Sequence, residues 1–301
     1  MRYGILIPPF GPCADLTVLT GLAVDAEAAG WDGFFLWDDI TSGDPMPIAD
    51  PWIAMAAIAV RTRRLRLGAT VTPLARRRPW KVAREAITLD HLSQGRLAVG
   101  VGLGVSKSEF DDLGEEADPK VRAAMLDEGL DILAGLWSGE PFHYAGTHYH
   151  IRQAQFLPRP VQTPRIPIWV GGFWPGKAPF RRAARWDGVF PLGRDISMAE
   201  MLTPEDVRVM LSFVREQRAQ DGLTDKPFDV IHCGISTGTD HQADAALAQT
   251  YDDVGVTWWL EHLAPDRWDA ESDEGDEGDE SAWPLDAMRQ RIHQGPPRSA
   301  H

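Results

Sequence analysis

The stretch LRLGATVTPLARRRPWKVAREAITLDHLSQGRLAVGVGLG, residues 65–104, decides the fold, because it reads as strand, charged loop, helix and strand in succession. Residues 65–72 form a β-rich run closed by Pro73, and residues 97–103 form a second. Both are too apolar to have one wet face, so both are predicted to be buried on two sides. Between them Val82, Ala83, Ala86, Ile87 and Leu89 place an apolar stripe at helical spacing, with Pro79 suited to the first turn and Gly95 to the stop. Strands joined in this way run parallel, since parallel neighbours need a crossover connection and a helix supplies it.

Worked outward, the same alternation recurs. Strands are predicted at residues 3–7, 33–37, 166–170, 188–191, 229–236 and 256–260, in addition to the two above. Helices are predicted at 16–29, 51–61, 120–137, 178–185, 204–220, 242–252 and 284–292. Strands alternating with helices throughout 301 residues predict one α/β domain, a (β/α)8 TIM barrel over residues 1–301, in preference to a doubly wound sheet. One segment breaks the rhythm: residues 138–165, rich in Pro, His and Tyr, read as a hairpin and loop inserted between the fourth helix and the fifth strand. The acidic run ESDEGDEGDE, residues 271–280, has no apolar residue to bury and predicts a mobile solvated loop over about 266–282.

Composition narrows the function. A net charge of −14 argues against nucleic acid and against anionic membrane surfaces as partners. No apolar run reaches the ~18 residues of a membrane helix, and the N-terminus lacks a signal peptide's basic head, so a soluble, cytoplasmic protein is expected. Cys13 and Cys233 are too few for a disulfide framework. His143, His148 and His150 have no carboxylate or cysteine beside them in sequence, so no metal centre is expected.

Barrel polarity then weights position, because residues just after each strand lie on the C-terminal face where barrel enzymes build their sites. Arg76, Arg77 and Arg78 follow the third strand; a solvated loop is the favoured reading and a bound anion the alternative. Gly100, Gly102 and Gly104 recur at every second residue and predict a groove for a flat ring; the alternative is room for bulky neighbours such as Phe34 or Trp37. The run lacks the third glycine of a dinucleotide fingerprint. In IPIWVGGFWPGK, Gly171 and Gly172 at a strand end, then Gly176, Lys177 and a short helix, predict an anion site, with a tight turn as the alternative. Asp38, Asp39 and Glu261 stand at strand ends as candidate acids or bases, each also able to cap a helix or pair with an arginine. Trp37, Trp174 and Trp259 are candidates for an aromatic substrate slot. Trp258 and Trp259 point to opposite sides of their strand, so one of the two packs in the core.

Taken together, LGATVTPL, LDHLSQGRLAVGVGLG, IPIWVGG, WDGVFPL, VTWWLEHL and RQRIHQGPP resemble the luciferase-like superfamily of flavin-dependent oxidoreductases, which includes enzymes using the deazaflavin coenzyme F420. The resemblance implies FMN or F420 at the barrel mouth. Pro8, Pro9 and Phe10 would line the ring pocket. Ala69, Thr70 and Val71 would back the ring, with Thr70–Val71 the candidate for a cis peptide. Gly102 and Gly104 would lie beside the cofactor, and Gly171, Gly172 and Phe173 would form the phosphate loop. Two positions depart from the pattern. Trp37, Asp38 and Asp39 lack the histidine that often follows the acid, and Val105 stands where one subgroup has a glutamate. Both departures argue against a sugar-phosphate dehydrogenase. The reading set first is an FMN-dependent monooxygenase of a small organic substrate, served by a separate flavin reductase. F420-dependent hydride transfer is the second, followed by a non-catalytic flavin-binding barrel and a metal-assisted hydrolase. A homodimer through barrel helices is also implied.

Overall fold

Parallel pairing runs all the way round the sheet in the computed structural model, which describes residues 1–41, 45–106, 108–193, 201–269 and 283–298. The strands are β1 (Arg2–Ile7), β2 (Gly33–Leu36), β3 (Arg66–Ala69, resuming at Thr72–Pro73), β4 (Val99–Gly102), β5 (Ile168–Phe173), β6 (Gly188–Leu192), β7 (Asp229–Gly234) and β8 (Trp258–His262). Their order is β3, β2, β1, β8, β7, β6, β5, β4 and back to the second piece of β3. Leu67 bridges Leu97 and Thr72 pairs with Val101, which closes the ring. Helices α1 (Leu16–Ala28), α2 (Pro51–Arg61), α3 (Pro79–Ser93), α4 (Pro119–Trp137), α5 (Lys177–Ala183), α6 (Pro204–Gln220), α7 (His241–Val254) and α8 (Leu285–His293) follow the strands in turn. This is the (β/α)8 barrel that the alternation predicts.

Local chemistry sets the helix ends. Asp15, Asp50, Asp118 and Asp240 each accept a backbone N–H of the first turn, satisfying donors that the helix cannot. Thr203 and Asp206 form a reciprocal capping box at α6. Gln94 (φ 58°) and Gly95 (φ 81°) turn the chain out of α3. Arg96 then fixes the turn, donating to the carbonyls of Ala59, Thr62, Leu65 and Ser93. The SQGR segment is thus a bracket between α2, α3 and the start of β3, on the face opposite the mouth.

Between α4 and β5 the chain makes an antiparallel pair, Phe142–Ala145 with His150–Ala154. Its turn is tied to α4 by Glu128, which accepts from the backbone N–H of Thr147, His148 and Tyr149. Within the stretch expected to be loose, Asp266–Asp269 is instead a helical turn. The acidic run itself lies outside the described residues.

Two cores result. The larger one fills the space between barrel and helices. The lumen holds Leu6, Phe35, Ala98, Trp169, Phe190, Ile231, Cys233, Trp258 and Leu260, with Trp37, Val71 and Leu192 packed against them. Phe35 needs the glycines around it: a Cβ built on Gly33 would stand 2.5 Å from its ring, and one on Gly4 2.9 Å. The lumen below the mouth is therefore packed with side chains, and a ligand has only the C-terminal end to enter. Among the described residues no helix is long and apolar enough to cross a membrane.

Candidate active site

The floor of the mouth is set by the interruption of β3. The Thr70–Val71 peptide is cis, at the position the resemblance selected. A Cβ on Gly102 would lie 2.5 Å from Val71 Cγ2, one on Gly171 2.7 Å from Val71 Cγ1, and one on Gly100 2.2 Å from the Ala69 carbonyl. The strand glycines thus make room for the β3 break. This corrects the groove expected at Gly102 and Gly104: Val71 fills the first position and Phe110, 2.8 Å from a Cβ on Gly104, backs the second. The bulky neighbour is Val71, not Phe34 or Trp37. What stays partly exposed is Val71 itself, a small apolar platform beside Gly171 and Gly102.

The three carboxylates have different surroundings. Asp38 is buried; its Oδ2 accepts from Thr72 Oγ1 (2.6 Å) and Trp52 Nε1 (3.0 Å), and its Oδ1 from Arg76 Nη2 (2.9 Å). Arg76 also donates to Glu109 Oε2 (2.5 Å), and Glu109 Oε1 accepts the Ile40 N–H. Arg76 is therefore neither solvated nor open to an anion, with only 3% of its side chain exposed. Glu261 is buried as well. It accepts from Ser236 N and Oγ (2.9 Å each), Trp259 Nε1 (2.8 Å), Arg267 Nη1 (2.6 Å) and Arg291 Nε (3.3 Å). These contacts fasten the ends of β7 and β8 to α8. Asp39 differs from both. It is partly exposed, and burial, with Glu109 and Asp38 adding to it against Arg76, pushes its pKa up to about 7.

Of the tryptophans, Trp37 lies in the mouth, edge-on to Phe10 and parallel to the His262 ring, each at a centroid separation of 6.0 Å. Trp259 does not line a slot: it is fully buried on the outer side of β8 against His232 and Tyr251. Trp174, 7% exposed, packs edge-on to Phe180 under the Lys177 ammonium. Burial holds His232 uncharged, with its pKa pushed down to about 3. Cys13 is buried and its thiol pushed up to about 12, which suits a core filler.

His262, which the sequence reading passed over, ends β8. Its Nε2 is 2.9 Å from Asp266 Oδ1, and its Nδ1 has no partner among the described residues. Trp37 Nε1 and Thr70 Oγ1 are also buried and unpartnered. Burying a polar atom without a partner costs about 1–3 kcal/mol. Thr70 adjoins Val71, and Trp37 packs against the same lumen core as Val71 and lies parallel to His262; unpartnered polar atoms on these residues suit a planar group with polar edges, as the ring of FMN or F420 is. At the end of β5, Gly171, Gly172 and Phe173 run into Trp174–Gly176 and α5, where Gly176 precedes the helix without a side-chain cap. A Cβ on Gly172 would lie 2.2 Å from Pro179, so this glycine allows α5 to approach the strand.

The closed parallel barrel with its open C-terminal mouth is the fold of a flavin-type oxidoreductase family. The chain belongs to the luciferase-like monooxygenase family, which matches residues 1–300. An F420-dependent glucose-6-phosphate dehydrogenase from Nakamurella multipartita is 31% identical over 239 residues, 70% of this chain and 68% of that protein. The F420-dependent tetrahydromethanopterin reductase of Methanopyrus kandleri superposes with a TM-score of 0.71 at 17% identity, covering 98% of each chain. A monooxygenase from Streptomyces bottropensis superposes with a TM-score of 0.64 at 24% identity, covering 98% of this chain and 91% of that one.

Proposed function

We propose that the protein is an F420-dependent oxidoreductase that moves a hydride between the deazaflavin and a small organic substrate. The observation that carries the reading is the partly exposed Val71 platform at the break in β3, together with unpartnered polar atoms on Thr70 beside it and on Trp37 and His262, which lie parallel to each other. The dehydrogenase relative, whose name specifies F420, supports placing that coenzyme ahead of FMN. This reverses the order of the sequence reading, which set FMN-dependent monooxygenation with a separate reductase first.

Bound F420 would supply a two-electron hydride acceptor or donor, and the protein's task would be to hold, shield and manage protons. Val71, Thr70, Trp37, Phe10 and the backbone of Gly102 and Gly171 would contact the ring, with Pro8 and Pro9 at the end of β1 beside it. Backbone N–H groups of Gly171–Phe173 and the start of α5 would face the phosphate tail. Asp39 is the carboxyl suited to exchanging a proton, because its shift to about 7 keeps both charge states populated near neutral pH. Asp38 and Glu261 would act by fixing the strand ends.

Thermal denaturation with F420 and FMN in parallel tests the reading. A ligand at 100 times its Kd adds about 2.7 kcal/mol, a rise of roughly 5 °C for a chain of this size. The larger shift is expected with F420. A shift with FMN alone would return the monooxygenase reading to first place.

A further inference from the structure

We propose that Ile40 and Val105 form an apolar sill at the rim of the mouth, which binds the hydrocarbon part of an uncharged substrate. This rests on the oxidoreductase reading above and adds to it the chemical class of the substrate.

Both residues stand just beyond strands whose ends border the mouth. Ile40 follows the end of β2 and Val105 follows Gly104 at the end of β4, so both lie on the C-terminal face. Ile40 is 48% exposed and Val105 43%. A single exposed apolar residue is ordinary; two at the rim of a ligand site, on loops fastened to each other, are not. Glu109, in the loop after β4, accepts the Ile40 N–H from the loop after β2, and the same carboxylate is fixed by Arg76. On the other side of Val105, Arg122 donates to the Leu103 carbonyl (3.0 Å), and Gly104 adopts φ 76° against the Phe110 ring. The apolar surface also runs inward. Trp37, three residues from Ile40, is partly exposed in the mouth, and the Val71 platform meets Gly102, three residues from Val105. This continuity makes the occupant the substrate of the same site and not a second protein.

Charge excludes the anionic alternatives. Arg76 is bound to Asp38 and Glu109, and Arg77 to Asp38 and Glu85. The Arg78 guanidinium lies toward Trp80 at the start of α3, and that of Arg122 lies 3.8 Å over the Phe110 ring. These arginines are thus engaged, whereas Asp112, Glu115 and Glu116 stand exposed on the loop that follows Val105. A phosphate or carboxylate on the substrate would meet negative charge there, while a hydrocarbon group would cover the Ile40 and Val105 methyl groups and release the water around them.

Titration of alkan-2-ones into protein loaded with oxidised F420 tests the assignment by calorimetry, since no hydride is available and binding is read alone. From butan-2-one through hexan-2-one to octan-2-one, Kd should fall about two- to fourfold per methylene, with an increasingly negative heat-capacity change. Ile40→Ser and Val105→Ser should each weaken octan-2-one by at least about threefold and leave butan-2-one within about twofold. Both should retain the wild-type unfolding midpoint, because the side chains removed are exposed. No binding of octan-2-one, a Kd independent of chain length, serine variants that bind octan-2-one as the wild type does, or octanoate bound more tightly than octan-2-one would each overturn the sill. Failure to bind F420 would overturn the cofactor reading alone. The same titration then uses protein loaded with FMN or, where neither binds, the free protein, and the same results decide.

Discussion

Replacing Glu261 by glutamine separates a structural carboxylate from a chemical one. In the wild type five donors converge on it at 2.6–3.3 Å, two of them from guanidinium groups whose side chains are 8% and 3% exposed. Glutamine keeps the shape, yet it removes the charge and turns an NH2 toward groups that are themselves donors. Removing one partner of a buried ion pair costs about 3–5 kcal/mol, because the remaining charge is left uncompensated. At roughly 2 °C per kcal/mol for a chain of this size, Tm should fall by about 6–10 °C. Calorimetry without any cofactor measures this directly. Arg267 also holds the His262 carbonyl at 2.9 Å, so cofactor affinity should weaken alongside stability. A variant with an unchanged Tm and no turnover would refute the argument and make Glu261 a proton carrier, as its strand-end position first suggested.

Three further substitutions test the remaining geometry. The Asp39 pKa is raised in the folded protein, so the group's stabilising contribution is complete below about pH 4 and is lost as pH rises through about 7. Asp39→Asn should therefore gain on wild type across that window, by on the order of 1–2 kcal/mol after allowance for solvent screening, and parallel Tm-against-pH curves would count against the shift. Gly172→Ala should cost about 1–3 kcal/mol in urea denaturation without cofactor, since its Cβ would meet Pro179 at 2.2 Å; an unchanged midpoint would leave the glycine to the phosphate alone. Arg96→Lys should lose about 2 kcal/mol, because an ammonium cannot reach the four carbonyls that the guanidinium spans, and an unaltered midpoint would remove its bracing role.

The fold was legible because its signals are local and repeated. The apolar runs of β3 and β4, the stripe of α3 and the proline and glycine at its ends each report on neighbours in sequence. The glycines of β4 and β5 were legible as a close approach but not as to what approaches, because Val71 meets them from β3 through a backbone break that no side-chain pattern encodes. Glu109 was missed, and Arg76 taken for a solvated loop residue, for a similar reason. Their partnership with Asp38 is made by three separate loops, and burial then pushes Asp39 to about 7, a consequence of packing that composition cannot display.

The end of β8 shows where one rule, applied more strictly, would have gone further. Strand side chains alternate, so placing Trp258 in the lumen sends Trp259 outward, Leu260 in, Glu261 outward and His262 in. The structure follows that parity: Trp258 and Leu260 belong to the lumen core, Trp259 packs against Tyr251 of α7, Glu261 binds Arg291 of α8 and His262 lies parallel to Trp37. A carboxylate at a strand end attracts attention as an acid or base, but its outward parity commits it to helix arginines. The less conspicuous histidine beside it inherits the mouth. If this parity argument is right, His262→Phe should keep the parallel arrangement with Trp37; it removes the unpartnered Nδ1 and also the Nε2 contact to Asp266, two effects of about 1 kcal/mol each and opposite sign, so Tm should stay within about 2 °C of wild type. A fall of several degrees beyond that of Asp266→Ala, which removes the Nε2 contact alone, would mean that Nδ1 has a protein partner, and the histidine would then be structural.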